Sequence, residues 1–261
     1  MALRRLLVPA LVLLAAVVPA RAADTSYTAV VHVTGQMEET RLPGFGRALE
    51  EVVVKASGDA RLVGDPRLEA AIPNATAYVV DYSYRDRMAD IPVHDEQGTR
   101  ERPYELTVAF APAKIDALLA ELGTRPWTGR PQVMAAVTVT TGGGLHYALT
   151  GDGANGRDFR EALATESRRT GIVAVLPAEA NAGDPLAVPP GAVLLRGAIA
   201  WDDAALGWRA TWGFEANGAP HAWEIAGVSF DAAFRSGLRG VAQVLSGNGE
   251  PVEAAQSTGQ R

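Results

Sequence analysis

An α+β protein of two small sheet-plus-helix domains, with mostly antiparallel strands and helices packed on one face, is what this sequence predicts. Three observations carry that expectation. Short segments of alternating apolar residues are interleaved with segments whose apolar residues recur every three or four positions. In the first half the order is strand, helix, short helix, strand, strand, helix, which suits helices layered on an antiparallel sheet. Finally, the Pro- and Gly-rich stretch TRPWTGRP at 124–131 separates two such sets of elements. The expected organisation is a cleaved signal peptide over 1–22, a first domain over 23–123 and a linker over 124–131. A second domain over 132–246 and a disordered tail over 247–261 complete it.

The first domain opens with a strand over 27–33, short, β-branched and nearly continuous in apolar character, which Gly35 ends. In the helix that follows, Phe45, Ala48, Leu49, Val52, Val53 and Ala56 fall on one stripe. Pro43 is expected in its first turn and Gly58 at the left-handed position past its end. Asp65 before Pro66 predicts a capped short helix over 67–72. A strand over 77–84 places Tyr78, Val80, Tyr82 and Tyr84 on one face, and the charged stretch 85–102 reads as a long solvated connection. Strict alternation over 103–111 then turns Tyr104, Leu106, Val108 and Phe110 to one side. Pro112 opens a helix carrying Ile115, Leu118, Leu119 and Leu122, and Gly123 closes it.

Trp127 is expected to pack over the junction between the halves. Beyond it come a strand over 132–140, broken by Gly142, Gly143 and Gly144, and a helix over 157–170. That helix sets Phe159, Ala162, Leu163 and Glu166 on one stripe before Gly171 ends it. A short buried strand over 172–176 and an irregular stretch over 177–191 lead to three strands over 192–201, 207–215 and 221–228. Asp202-Asp203 and Asn217-Gly218 form the turns, Asn-Gly being a strong hairpin signal. Ser229 caps a last helix bearing Phe230, Phe234, Leu238, Val241, Ala242 and Leu245.

The start of the chain predicts the compartment. Arg4 and Arg5 precede an apolar run over 6–18, and Ala20-Arg21-Ala22 is a small-x-small cleavage site, the three parts of a secretory signal. The run is short for a ~30 Å hydrocarbon core. A periplasmic protein without stable membrane insertion after cleavage is therefore expected. Without Arg4, Arg5 and Arg21 the chain keeps 21 basic residues against 30 acidic ones, about −9, which argues against nucleic acid as a partner. With no cysteine, stability after export must come from core size.

Several motifs occur together and in order: VTG at 33–35, RALEEVVVKASGD at 47–59, YSYR at 82–85, LTVAFAP at 106–112 and PW-x-G-RP at 126–131. On these the chain resembles the exported bacterial family called domain of unknown function 2066, most closely over 27–140. The resemblance implies an exported α+β protein with no established activity, and supplies no catalytic residues. It also implies a departure, because Ala111 stands where relatives tend to carry Asp before the helix. The strand over 172–176 and the strand–strand–helix ending are similar to envelope accessory domains, a likeness of fold alone.

The sequence carries little recognisable catalytic equipment. There is no cysteine nucleophile, no G-x-S-x-G and no H-E-x-x-H, and the four histidines, His32, His94, His146 and His221, stand singly. Glu38-Glu39, Asp202-Asp203 and Asp86 with Asp90 fall in expected loops or turns, where Asp serves the backbone. Asp152, Asn155 and Asp158 lie near glycines but miss the calcium-loop pattern, and no cofactor or metal is expected. The surface singled out for binding is Tyr82 and Tyr84, at the end of the strand, with Arg85 and Arg87 from the start of the charged connection. A non-catalytic envelope accessory protein, binding an envelope protein or a cell-wall component, is the expected role. A glycan hydrolase using loop carboxylates, or a small-ligand or metal-binding module centred on 152–158, are the alternatives.

Overall fold

The computed structural model describes residues 25–89, 102–182 and 186–251. The leader, most of the charged connection (with Asp90 and His94) and the end of the tail lie outside them. The α+β expectation holds. In the first half β1 (Thr28–Thr34), β2 (Val79–Asp86) and β3 (Pro103–Phe110) form an antiparallel sheet in the order β1-β3-β2. Helices α1 (Glu38–Ser57), α2 (Pro66–Ala71) and α3 (Pro112–Glu121) accompany it.

The helical stripe of α1 is buried as its spacing requires: Phe45, Ala48, Leu49, Val52, Val53 and Ala56 meet Val31, Val33, Leu106 and Val108 of the sheet in one cluster. Burying each of the Phe, Leu and Val side chains is worth about 1.5–3 kcal/mol before chain entropy is set against it. Gly58 ends the helix at φ 72°. One expectation fails here: α1 begins at Glu38, so Pro43 sits inside the helix and not in its first turn. The cost is small because the carbonyl that loses its donor belongs to exposed Glu39, within reach of water.

Helix α3 starts at Pro112 from an N-cap Ala111 that makes no side-chain bond. Ala111 already has the extended backbone of a cap (φ −68°, ψ 113°). Ala111→Asp is therefore expected to stabilise the protein by about 1 kcal/mol, read as a higher urea midpoint at unchanged slope.

In the second half β4 (Val133–Thr140) is followed by β5 (His146–Leu149), α4 (Arg157–Thr170) and the short β6 (Ala174–Val175). Then come β7 (Val193–Asp202), β8 (Gly207–Ala216), β9 (Ala219–Val228) and α5 (Phe230–Leu245). Strand order is β5-β4-β7-β8-β9, with β6 also pairing β4; β4 runs parallel to β6 and β7, and the other pairs are antiparallel. The β7 and β8 strands need no crossover, but β4 and β7 do, and α4 lies in that connection. Asn217 (φ 52°) and Gly218 (φ 77°) both adopt the left-handed conformation of a tight hairpin turn, as Asn-Gly predicts. The core is filled by Phe159 and Leu163 from α4, Phe234 and Leu238 from α5, and Trp212 and Trp223 from the sheet.

The halves meet at the C-terminal end of α1. A helix leaves its last carbonyls without partners, and here other segments supply the donors. The Trp127 N–H donates to Ala56 O at 2.7 Å, Arg130 Nη2 to Lys55 O at 2.5 Å, and Asn248 Nδ2 to Ser57 O at 3.0 Å. Arg130 Nη1 also donates to Thr170 O at 2.8 Å, so one guanidinium binds the negative ends of α1 and α4. It lies over the Trp127 ring, 4.6 Å from its centre. Deeper in the seam, Gln243 of α5 donates to Asp59 Oδ1 at 3.0 Å and accepts from Ala60 N–H at 2.8 Å. Burial opposes the Asp59 carboxylate, yet hydrogen bonds from Arg61 and Gln243 outweigh it and hold its pKa below the usual range.

Candidate functional site

Strand alternation decides where the four expected surface residues go. Tyr82 and Tyr84 lie on the face of β2 that meets the helix layer. The Tyr82 ring stands edge-on to Phe45 (5.2 Å between centres) and to Tyr84 (5.9 Å), and Arg41 lies 5.4 Å over it. Tyr82 is 42 % exposed all the same, because β2 is an edge strand. Tyr84 is covered further, against Tyr104, and its buried hydroxyl has no hydrogen-bond partner among the described residues. Arg85 points the other way, Nε donating to Glu105 Oε2 at 2.9 Å. Arg87 is exposed in the turn after β2. Burial first, then the Arg87 charge, pushes His32 below its ordinary pKa, against the pull of Glu105. The two tyrosines thus share one face and the first arginine the opposite one.

The two edges of this sheet differ. On β1, Arg47 Nη2 donates to His32 O at 2.8 Å, and Lys55 Nζ to Thr28 O at 2.7 Å and Thr25 O at 3.3 Å. Side chains from α1 therefore occupy main-chain acceptors that another strand would need. On β2, the register slips between Val79 and Asp81, and Val80 at that irregularity is 64 % exposed. From Asp81 to Asp86 pairing with β3 is regular; along its outer edge next to the Tyr82 ring, Asp81 Oδ1 takes the Tyr82 N–H at 2.8 Å, and no side chain from a helix covers the acceptors there among the described residues.

Lys55 also carries a pH signature. Burial pushes its pKa down to about 8, with Glu51 opposing. An unfolded lysine titrates near ~10.4. Between these values the unfolded chain holds the extra proton, so Lys55 makes stability rise with pH from about 8 to about 10.4. Lys55→Met is expected to flatten that rise in urea midpoint, and to lower stability overall because the Thr28 carbonyl loses its donor.

The acidic pairs that invited a hydrolase reading serve structure. Asp202 accepts from Ala204 and Ala205 N–H and pairs with Arg209; Asp203 accepts from the Trp201 indole. Asp86 pairs with Arg102 at 2.7 Å. Glu38 and Glu39, expected in a loop, occupy the first turn of α1, where acids complement the helix dipole. Asp152 accepts from Glu179 N–H, and Asp158 lies in the first turn of α4. Among the described residues no group of three or more His, Cys, Asp or Glu could hold a metal ion.

A second place was not foreseen. Between α1, α4 and α5 lies a cleft of about 260 Å³, lined by Glu50 and Glu51 from α1, Arg169 from α4, and Arg235 and Arg239 from α5. Behind it Glu166, 1 % exposed, accepts from Arg169 Nη1 at 2.8 Å and from Arg235 Nη2 and Nε at 3.0 and 3.2 Å. Burial raises the pKa of Glu51 and lowers that of Arg239. The only advance sign in the sequence was a glutamate inside the apolar stripe of α4; of its two partners Arg169 is three residues on in the same helix, and Arg235 lies 69 residues away on α5.

Residues 20–128 match a family described as Domain of unknown function (DUF8605). The first half of the chain is similar to a domain of unknown function. The family is not the one the motifs suggested, so that resemblance is corrected in its name and kept in its substance, a domain without an assigned activity. The matched segment takes in the whole three-stranded sheet, α1 to α3, and Trp127. No curated protein and no solved structure matches the chain.

Proposed function

We propose that this is an exported, periplasmic accessory protein that binds another envelope component, a protein or a cell-wall component, without catalysing a reaction. In this reading residues 23–123 and 132–246 act as two domains around the linker 124–131. The leader-like residues 1–22 support the compartment. Among the described residues no helix is long and apolar enough to cross a membrane. The observation that carries the binding role is the asymmetry of the first sheet. One edge is occupied by Arg47 and Lys55, while the other presents Val80 and Tyr82 beside six residues in regular register. An extended segment adding to β2 gains main-chain hydrogen bonds and apolar contact with the exposed part of the Tyr82 ring. Arg85 and Arg87, on or just beyond the other face, serve as rim charges in this arrangement.

The test is copurification from envelope fractions of tagged protein. A component held by the wild type and lost in Val80→Lys/Tyr82→Ala supports the role. Retention of the same component by the variant, or processing that leaves residues 1–22 attached in the cytoplasm, would refute it.

A further inference from the structure

We propose that the cleft between α1, α4 and α5 binds a small zwitterionic amino carboxylate, its carboxylate on Arg239 and its ammonium group toward Glu51. The inference starts from two charges of opposite sign that line one cavity without meeting. Arg239 and Glu51 are both partly buried, and neither makes a hydrogen bond or ion pair to any described residue. The neighbouring cations are spent differently. Arg169 and Arg235 hold Glu166, and Lys55 holds the Thr25 and Thr28 carbonyls. Glu50 adds a second negative group on the α1 wall.

A desolvated charge is costly until an opposite charge reaches it. Direct closure of Arg239 on Glu51 would satisfy both, and the structure instead keeps a cavity of about 260 Å³ between their helices. A planar guanidinium with all its donors unspent suits a carboxylate taken through two parallel hydrogen bonds. The acids on the opposite wall suit an ammonium group. The volume is below the ~300–1,000 Å³ of drug-sized pockets, which limits the ligand to the size of a single amino acid.

Thermal unfolding of the purified protein with L-alanine and D-alanine tests this, with acetate and methylamine as single-charge controls. A saturable rise in melting temperature with either alanine, at least twofold larger than with acetate or methylamine at equal concentration, is the expected result. Arg239→Gln and Glu51→Gln should each abolish that rise. In the absence of ligand Arg239→Gln should melt no lower than the wild type, since it removes an unpaired charge. Three results overturn the proposal, and the first two are no saturable rise with either alanine, or a rise that both variants keep. A fall in the unliganded melting temperature of Arg239→Gln that Glu51→Gln does not add to would also overturn it, because it would show the two residues paired with each other.

Discussion

Replacing Trp212 with alanine is expected to destabilise the protein by about 3–5 kcal/mol, the range for deleting a buried large aromatic. The ring is 3 % exposed and fills the space between sheet and helix layer at the centre of the second core. Two glycines admit it. A Cβ on Gly237 of α5 would come within 2.9 Å of the indole, and one on Gly197 of β7 would collide with it. The helix can approach the sheet closely here because neither position carries a side chain. Trp212→Phe should cost far less than alanine. It leaves a smaller gap, and it removes an indole N–H that is buried without an acceptor among the described residues. Gly237→Ala should destabilise the wild type by about 1–3 kcal/mol through overpacking. It should cost clearly less in the Trp212→Phe background. Urea unfolding of the four proteins measures this coupling directly.

The second large effect is expected at Glu166. Removing the carboxylate by Glu166→Leu leaves two guanidiniums that its two oxygens had held. Both arginine side chains are about one-third exposed (31 % and 35 %), so water recovers part of the loss. A cost of about 3 kcal/mol, the lower end for a broken buried pair, follows. The double variant Arg169→Leu/Arg235→Leu should cost more, about 3–5 kcal/mol, because it strands a carboxylate with no route to solvent. That ordering, with the loss of the anion milder than the loss of its two cations, is read from unfolding midpoints at neutral pH.

Local signals explain why so much of the fold was legible. The stripe of α1, the Asp65 and Ser229 caps, the end of α4 at Gly171 and the Asn217-Gly218 turn depend on residues within a few positions of one another. Pro43 misled because Pro favours a first turn but does not dictate one. The acids that precede it, Glu38 and Glu39, begin the helix earlier. The tyrosine patch was legible in part: alternation alone separates Tyr82 and Tyr84 from Arg85, and the edge position that exposes Tyr82 depends on strand order. Of the charged cleft only Glu166, a lone acid on the apolar stripe of α4, was legible. The cleft walls come from three helices far apart in the chain, and no periodicity within one helix announces a neighbour on another.

The measurement that bears most directly on the proposed role is in-cell photo-crosslinking from the two edges of the first sheet. A photoreactive residue in place of Ser83, on β2, should give one discrete adduct with an envelope component, and Tyr82→Ala should abolish it. The same residue in place of Val30, on β1, should give none. Adducts from Val30 and not from Ser83, or a Ser83 adduct indifferent to Tyr82→Ala, would contradict the assignment of β2 as the binding edge.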